Sequence, residues 1–227
     1  DFQILLFAFA FDEDPVEVVD LTEDELPQHL IDALINPNVI KRAYNAQFER
    51  TCLSKHLGIP LDPAQWHCTQ VLASAAGLPG HLSEVAKVLH LDQQKMDAGK
   101  SLIPYFCKPC APTKANHQRT RNLPHHDPAK WELFKRYNAQ DVETERAVYH
   151  AVDYTFTPRE REVYILDQRI NDRGVEIDLQ LVEAILQYND AYSETLTSRA
   201  KMLSGLENPN SRNQLVAWLR EQGIDVD

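Results

Sequence analysis

The stretch RYNAQDVETERAV, residues 136–148, sets Tyr137 and Asp141 four residues apart in a run that reads as helix. At positions i and i+4 the two side chains share one helix face, a turn apart. Taken alone, the pair has two readings: a core tyrosine beside a surface aspartate, or one wall of a metal site. Glu143 and Glu145 pair readily with Arg146 and solvent and are read as structural.

A second stretch, AYNAQFERTCL at residues 43–53, bears on that choice. A strand runs into Asn45, and the helix after it is expected to carry Phe48, Leu53 and Leu57 inward. Glu49 falls near the first turn, where a carboxylate suits the helix dipole. By itself Glu49 reads first as a dipole partner and only second as a ligand.

Working outward, FQILLFAFAFD is apolar and about one strand long, EDP breaks it, and VEVVDL resumes with period-two alternation, which predicts a hairpin. TEDELPQHLIDALI opens with a capping-type threonine, Thr22, and runs at helical spacing through Leu26, Leu30, Leu34 and Ile35. NPNVIKRAY reads as turn then strand, and Gly58 closes the next helix. A short strand around WHCTQVLASAA leads through GLPG to an amphipathic helix, HLSEVAKVLHL. Residues 98–130 are proline-rich and basic, with Lys100, Lys108, Lys114, Arg119, Arg121 and Lys130 against a lone acid, Asp127. From Pro128 a helix is expected to about Tyr154. TFTPRERE then reads as a joint, Thr157 capping and Pro158 at the first helical position. Further helices follow, divided by NDRGVEID and ENPNSRNQ.

With 227 residues, 43% of them hydrophobic, the chain can bury a core and holds one large domain or one plus a partial second. A net charge of -11 argues against a protein that holds nucleic acid by bulk charge. It leaves open an enzyme that meets a phosphodiester through divalent ions, since such a site is built from carboxylates. No apolar run reaches the length of a membrane span, so no membrane partner is expected. The four cysteines lack disulfide-framework spacing, which points to a reducing, cytoplasmic setting.

Asn-x-x-Phe-Glu after a strand, then Tyr-x-x-x-Asp on a helix about ninety residues later, resembles the second and third motifs of the DEDD (DnaQ-like) 3'-5' exonucleases. The tyrosine places the resemblance with the subgroup found in family A DNA polymerases. The family's second motif usually ends in aspartate; Glu49 bears the same charge on a longer arm. Downstream, EREVYILDQRINDRGVEIDLQLV resembles the segment that opens the polymerase module, and NPNSRNQLVAWLREQGI the thumb stretch after it. With the insert YFCKPCAPTKANHQRTRNLP, the resemblance is to family A polymerases of phages and prophages.

The resemblance implies an α/β architecture: an RNase H-like mixed sheet flanked by helices over residues 1–155, then a helical start of the polymerase module over 156–227. It implies Mg2+ or Mn2+ in a two-metal site, with ions about 4 Å apart. Asp141 would ligate one ion, Glu49 would help hold the second directly or through water, and Tyr137 would orient the attacking water. The implied partners are DNA, as a single-stranded 3' end or primer-template, and the remainder of the polymerase chain in the host cytoplasm. Asn45, Phe48, Lys114, Arg119 and Arg121 are the candidate nucleic-acid contacts.

The family also carries an Asp-x-Glu on its first strand, and this sequence lacks it. The candidate FDEDP, ending at Pro15, lies at a hairpin tip and reads Asp-x-Asp. The expectation is a chain that begins one strand late and ends before the fingers and palm, with hydrolysis impaired and no polymerisation. A non-catalytic scaffold binding primer-template is the alternative from another class. Cys107 and Cys110, with His117, His125 and His126, raise a third, a zinc-containing nucleic-acid-binding module. Their spacing matches no standard finger, so zinc is not expected and the segment is read as a loop with free thiols.

Overall fold

The computed structural model describes residues 2–92, 99–153 and 156–226. The protein is mixed α/β and mostly helical, with two small sheets of short strands. Strands β1 (Leu6–Phe9) and β2 (Glu17–Asp20) pair antiparallel, Leu6 opposite Asp20 and Phe9 opposite Glu17, as the hairpin pattern predicts. Strands β3 (Lys41–Ala43) and β4 (Trp66–Cys68) pair parallel, Lys41 opposite Trp66 and Ala43 opposite Cys68. Parallel partners need a crossover, and helix α2 (Ala46–Leu57) supplies it. Gly58, at φ 67°, takes the left-handed position that ends α2.

Helix α1 is Gln28–Ile35 and begins after Pro27. Thr22 is therefore not its cap. Its amide and hydroxyl both donate to Asp20 Oδ1, at 3.1 and 2.6 Å, closing a turn at the end of β2. The other oxygen of Asp20 accepts from Trp131 Nε1 at 2.6 Å and faces Lys135 Nζ at 3.0 Å. Burial opposes its ionisation, yet these donors together hold the Asp20 carboxyl below the usual carboxylate range. The hairpin is thereby fastened to the long helix that carries Trp131.

After β4 come helices α3 (Thr69–Ala75) and α4 (Leu82–Val88). The strand expected through WHCTQVLASAA is confined to three residues; from Thr69 the chain is helical. The segment read as a loop from 98 opens with helix α5 (Gly99–Cys107), despite Pro104 inside it. Tertiary packing explains this. Leu102 and Phe106, one turn apart, are 1% exposed and pack with Trp131, Phe134 and Tyr137. Helix α6, Pro128–Val152, spans 25 residues, with Asp127 accepting from the Lys130 amide at its start. Tyr154, where the sequence sets its end, lies outside the described residues, as does part of the joint at 155.

Helix α7 (Pro158–Arg173) opens with a reciprocal cap: the Thr157 amide donates to Glu160 Oε2 at 2.8 Å, and the Glu160 amide to Thr157 Oγ1 at 3.3 Å. Tyr164 joins the core cluster of Leu30, Leu34, Leu53 and Trp66. Residues through Arg173 accordingly form one compact unit, and residues from Gly174 form another. The second unit holds helices α8 (Leu179–Ser204) and α9 (Arg212–Glu221), capped by Asp178 and Ser211, and neither helix has a buried residue. No helix among the described residues is long and apolar enough to cross a membrane.

Candidate active site

Strand β3 delivers the chain to Asn45, whose left-handed backbone (φ 68°, ψ 49°) turns it sharply into α2. Asparagine tolerates this conformation better than most residues. The turn sets Phe48 and Glu49 in the first helical turn. Phe48 is 62% exposed, not inward as the apolar pattern suggests; Ala46 and Leu53 fill the core, and Leu57 packs against it. A pattern of apolar residues cannot tell a core position from one facing a cleft, since both accept the same side chain.

That cleft is a groove of about 1850 Å³. Strands β1 and β3 both line it, as do Phe48 and Glu49 from α2 and Tyr137, Asn138, Asp141 and Glu145 from α6. Each of the two strands is paired along one edge, β1 to β2 and β3 to β4. The two stretches of sequence singled out above thus meet at one place. Tyr137, 5% exposed, is held by its ring: it stacks on Phe134 with centroids 6.2 Å apart, and it lies so close to Gly99 that a Cβ there would sit 2.4 Å from the ring.

Glu49 is ringed by protein. Its Oε2 is shielded from solvent and has no hydrogen-bond partner among the described residues, and the same holds for Asn138 Oδ1. Burial first, and then the neighbouring Glu145 carboxylate, push the Glu49 carboxyl up to about 7. Glu145 itself is only 9% exposed and accepts a hydrogen bond from the Thr69 hydroxyl. Burial raises its pKa, against the pull of Thr69, Arg42, His150 and Arg146. Here the structure departs from the sequence reading. Glu143 does pair with Arg146, at 2.6 Å, but Glu145 faces the groove with Asp141. The signal was present, since 137, 141 and 145 repeat at i, i+4 and i+8.

The hairpin tip carries the poor candidate for the first motif. Asp12 has φ 45°, and the tip closes by a bond from the Asp14 amide to Phe11 O at 2.8 Å. Arg146 of α6 fastens it, Nη1 donating to Asp12 O and Asp14 O at 3.1 and 2.8 Å. The tip acids therefore stand in a turn, with no strand to aim them.

Of the candidate nucleic-acid contacts, Phe48 and Arg121 line the groove, whereas Asn45, Lys114 and Arg119 do not. Arg121 Nη2 donates to Gln3 Oε1 at 3.0 Å, and Arg119 Nε to Asn122 Oδ1 at 2.8 Å. Cys107 is exposed and lines the groove; Cys110 bonds through Sγ to Arg119 O at 3.4 Å. Among the described residues no three His, Cys, Asp or Glu side chains are gathered to hold a metal ion. The groove's carboxylates fit a hard divalent cation in donor type, and the orphaned Glu49 oxygen fits it in position, but they make up only part of a donor set.

No family model matches the chain. It is 55% identical over 229 residues to a DNA polymerase of Bacillus phage SP02. The match takes in 100% of this chain and 35% of that protein, so the chain spans about a third of the relative's length.

Proposed function

We propose that this chain is a piece of a phage-type DNA polymerase that carries its 3'-5' exonuclease domain and the helical start of its polymerase module. The identity to a phage DNA polymerase supports the broad reading. The observation that carries the finer one is that Glu49 and the Tyr137–Asp141 pair, about ninety residues apart in sequence, line one groove.

In this reading Asp141 and Glu49 hold Mg2+ or Mn2+. When bound, the ions supply the positive charge that a pentavalent phosphate and its leaving oxygen require. Tyr137 sits rigidly between Phe134 and Gly99, and its hydroxyl orients the water that attacks the 3'-terminal phosphodiester. Phe48, exposed at the groove, stacks on a base, and Arg121 meets the backbone. The buried Glu49 carboxyl must lose its proton before it ligates, so proton and metal compete for it and metal binding tightens as pH rises.

The reading also implies an RNase H-like sheet and a further Asp-x-Glu pair. Strands β1 and β3 belong to separate sheets yet border the same groove, and a strand lying between them would join the sheets and place two more carboxylates opposite Asp141 and Glu49. On its own residues this chain is expected to bind metal weakly and to hydrolyse little.

The test is Asp141→Asn in the intact polymerase, assayed on 5'-labelled single-stranded DNA with Mn2+. Loss of mononucleotide release by at least about 100-fold, with polymerisation retained, is expected. Unchanged release overturns the reading. A non-catalytic scaffold is the second reading, favoured by the partial donor set. It predicts primer-template binding with no metal-dependent release from the intact protein.

A further inference from the structure

We infer that Arg50 and Asp172 are positioning residues for Glu49, setting the rotation of α2 from the last turn of α7. The inference rests on the exonuclease reading above for its functional consequence, and on geometry alone for the tether. Arg50 follows Glu49 and points away from the groove. Its side chain is 4% exposed, and its guanidinium is clasped on one side. Nη1 donates to Asp172 Oδ2 at 2.8 Å and to Leu61 O at 3.2 Å; Nη2 donates to Asp172 Oδ1 at 2.6 Å and to Gln168 Oε1 at 3.3 Å. Two of these three partners lie on α7, and the third follows α2 in the chain.

A bidentate pair with flanking acceptors specifies an orientation as well as a distance. Successive helical residues project about 100° apart, so pinning the Arg50 direction pins that of Glu49. The carboxylate lies roughly 6 Å from the helix axis, and a roll of about 10° would move it about 1 Å. Displacement on that scale costs a reacting centre on the order of 100-fold. Stability alone is a weak reason for such a pair, because taking the Arg50 charge from water offsets much of its attraction to Asp172, whose side chain stays 35% exposed. Arg50 Nε is also buried without a partner among the described residues, a cost that a purely stabilising contact would avoid.

The control is another anchor of α7: Arg161, whose Nη1 and Nη2 donate to Trp66 O at 2.6 Å and Ala64 O at 2.9 Å. Asp172→Asn and Arg161→Met are compared in the whole chain, well below their unfolding temperatures. One readout is hydrogen exchange at the α2 amides, and the other is affinity for Mn2+ alone. Asp172→Asn is expected to speed exchange in the first turn of α2 by at least tenfold and to weaken Mn2+ binding by 10-fold or more. Arg161→Met should leave both within about twofold. Gln168→Met, which removes one acceptor at similar volume, should shift both measures less and in the same direction, and it replaces Asp172→Asn if that variant does not fold. Equal effects of the two α7 anchors, or no effect at α2, overturn the inference. If the unmutated chain binds Mn2+ too weakly to titrate, the second readout is 3'-5' hydrolysis by the intact polymerase, which Asp172→Asn should slow at least tenfold and Arg161→Met should leave within about twofold; equal rates overturn the inference.

Discussion

Replacing Glu49 by glutamine should stabilise the protein above neutral pH and do so by less than about 1 kcal/mol near pH 5, in the absence of divalent ions. The Glu49 carboxyl stands at about 7 against an ordinary 4.5. At about 1.4 kcal/mol per pH unit, that difference is worth about 3 kcal/mol. The sign follows from proton linkage. A carboxyl whose pKa is raised on folding holds its proton more tightly when folded, so stability is full below about 4.5 and falls as pH rises through about 7. Glutamine keeps the shape of the protonated acid and never ionises. The expected gain at pH 8 is therefore about 2–3 kcal/mol, which for a unit of this size raises the melting temperature by roughly 5–10 °C. Thermal unfolding of both proteins at pH 5 and pH 8, followed by near-ultraviolet circular dichroism, reads it out. Titrating groups not coupled to Glu49, His67 among them with its pKa lowered to about 4 by burial and by Arg161 and Arg42, cancel in the comparison. An identical melting difference at the two pH values would refute the reasoning, since it would mean that Glu49 ionises as a surface acid does. Added Mn2+ should narrow the gap at pH 8 by stabilising only the protein that can ligate it.

Tyr137→Phe keeps the stack on Phe134 and should cost at most about 1.5 kcal/mol in denaturant melts, while hydrolysis by the intact polymerase falls at least about tenfold; Tyr137→Ala should cost about 3–5 kcal/mol. Gly99→Ala drives a methyl into the Tyr137 ring and should destabilise by about 1–3 kcal/mol, although alanine favours helices. Phe48→Ala should leave the melting temperature unchanged, because the ring is exposed, and weaken single-stranded DNA binding by about 1–3 kcal/mol in a fluorescence titration. Equal affinity in that titration would remove Phe48 from the nucleic-acid contacts.

Where the signal was local, the sequence reading holds. The Thr157 and Pro158 pattern that predicted a helix start is a two-way cap, and the break at EDP is a hairpin tip with the register alternation implies. Thr22 shows the limit of local signals: its side chain suited a cap, but Asp20, two residues away, offered a stronger acceptor. Helix α5 was illegible for the opposite reason. Its proline and its basic neighbours read as loop, and only the packing of Leu102 and Phe106 against Trp131 and Phe134 makes the helix the favoured state.

The same division holds at the candidate site. Spacing along one chain determined that Tyr137 and Asp141 share a helix face, and residue type determined that Glu49 begins the next helix after a strand. Only the tertiary structure decided that these faces open on one groove, that Glu145 joins them, and that Phe48 looks outward. The periodicity of a segment reports which of its residues lie on a common side; what stands opposite that side is set by long-range packing. Ionisation is the furthest removed from sequence. Glu49 and Glu143 are the same residue type and both lie on helices, yet one is walled in beside Glu145 and pushed up to about 7 while the other, partly exposed, pairs with Arg146, because the cost of a charge depends on the solvent and partners the fold leaves around it.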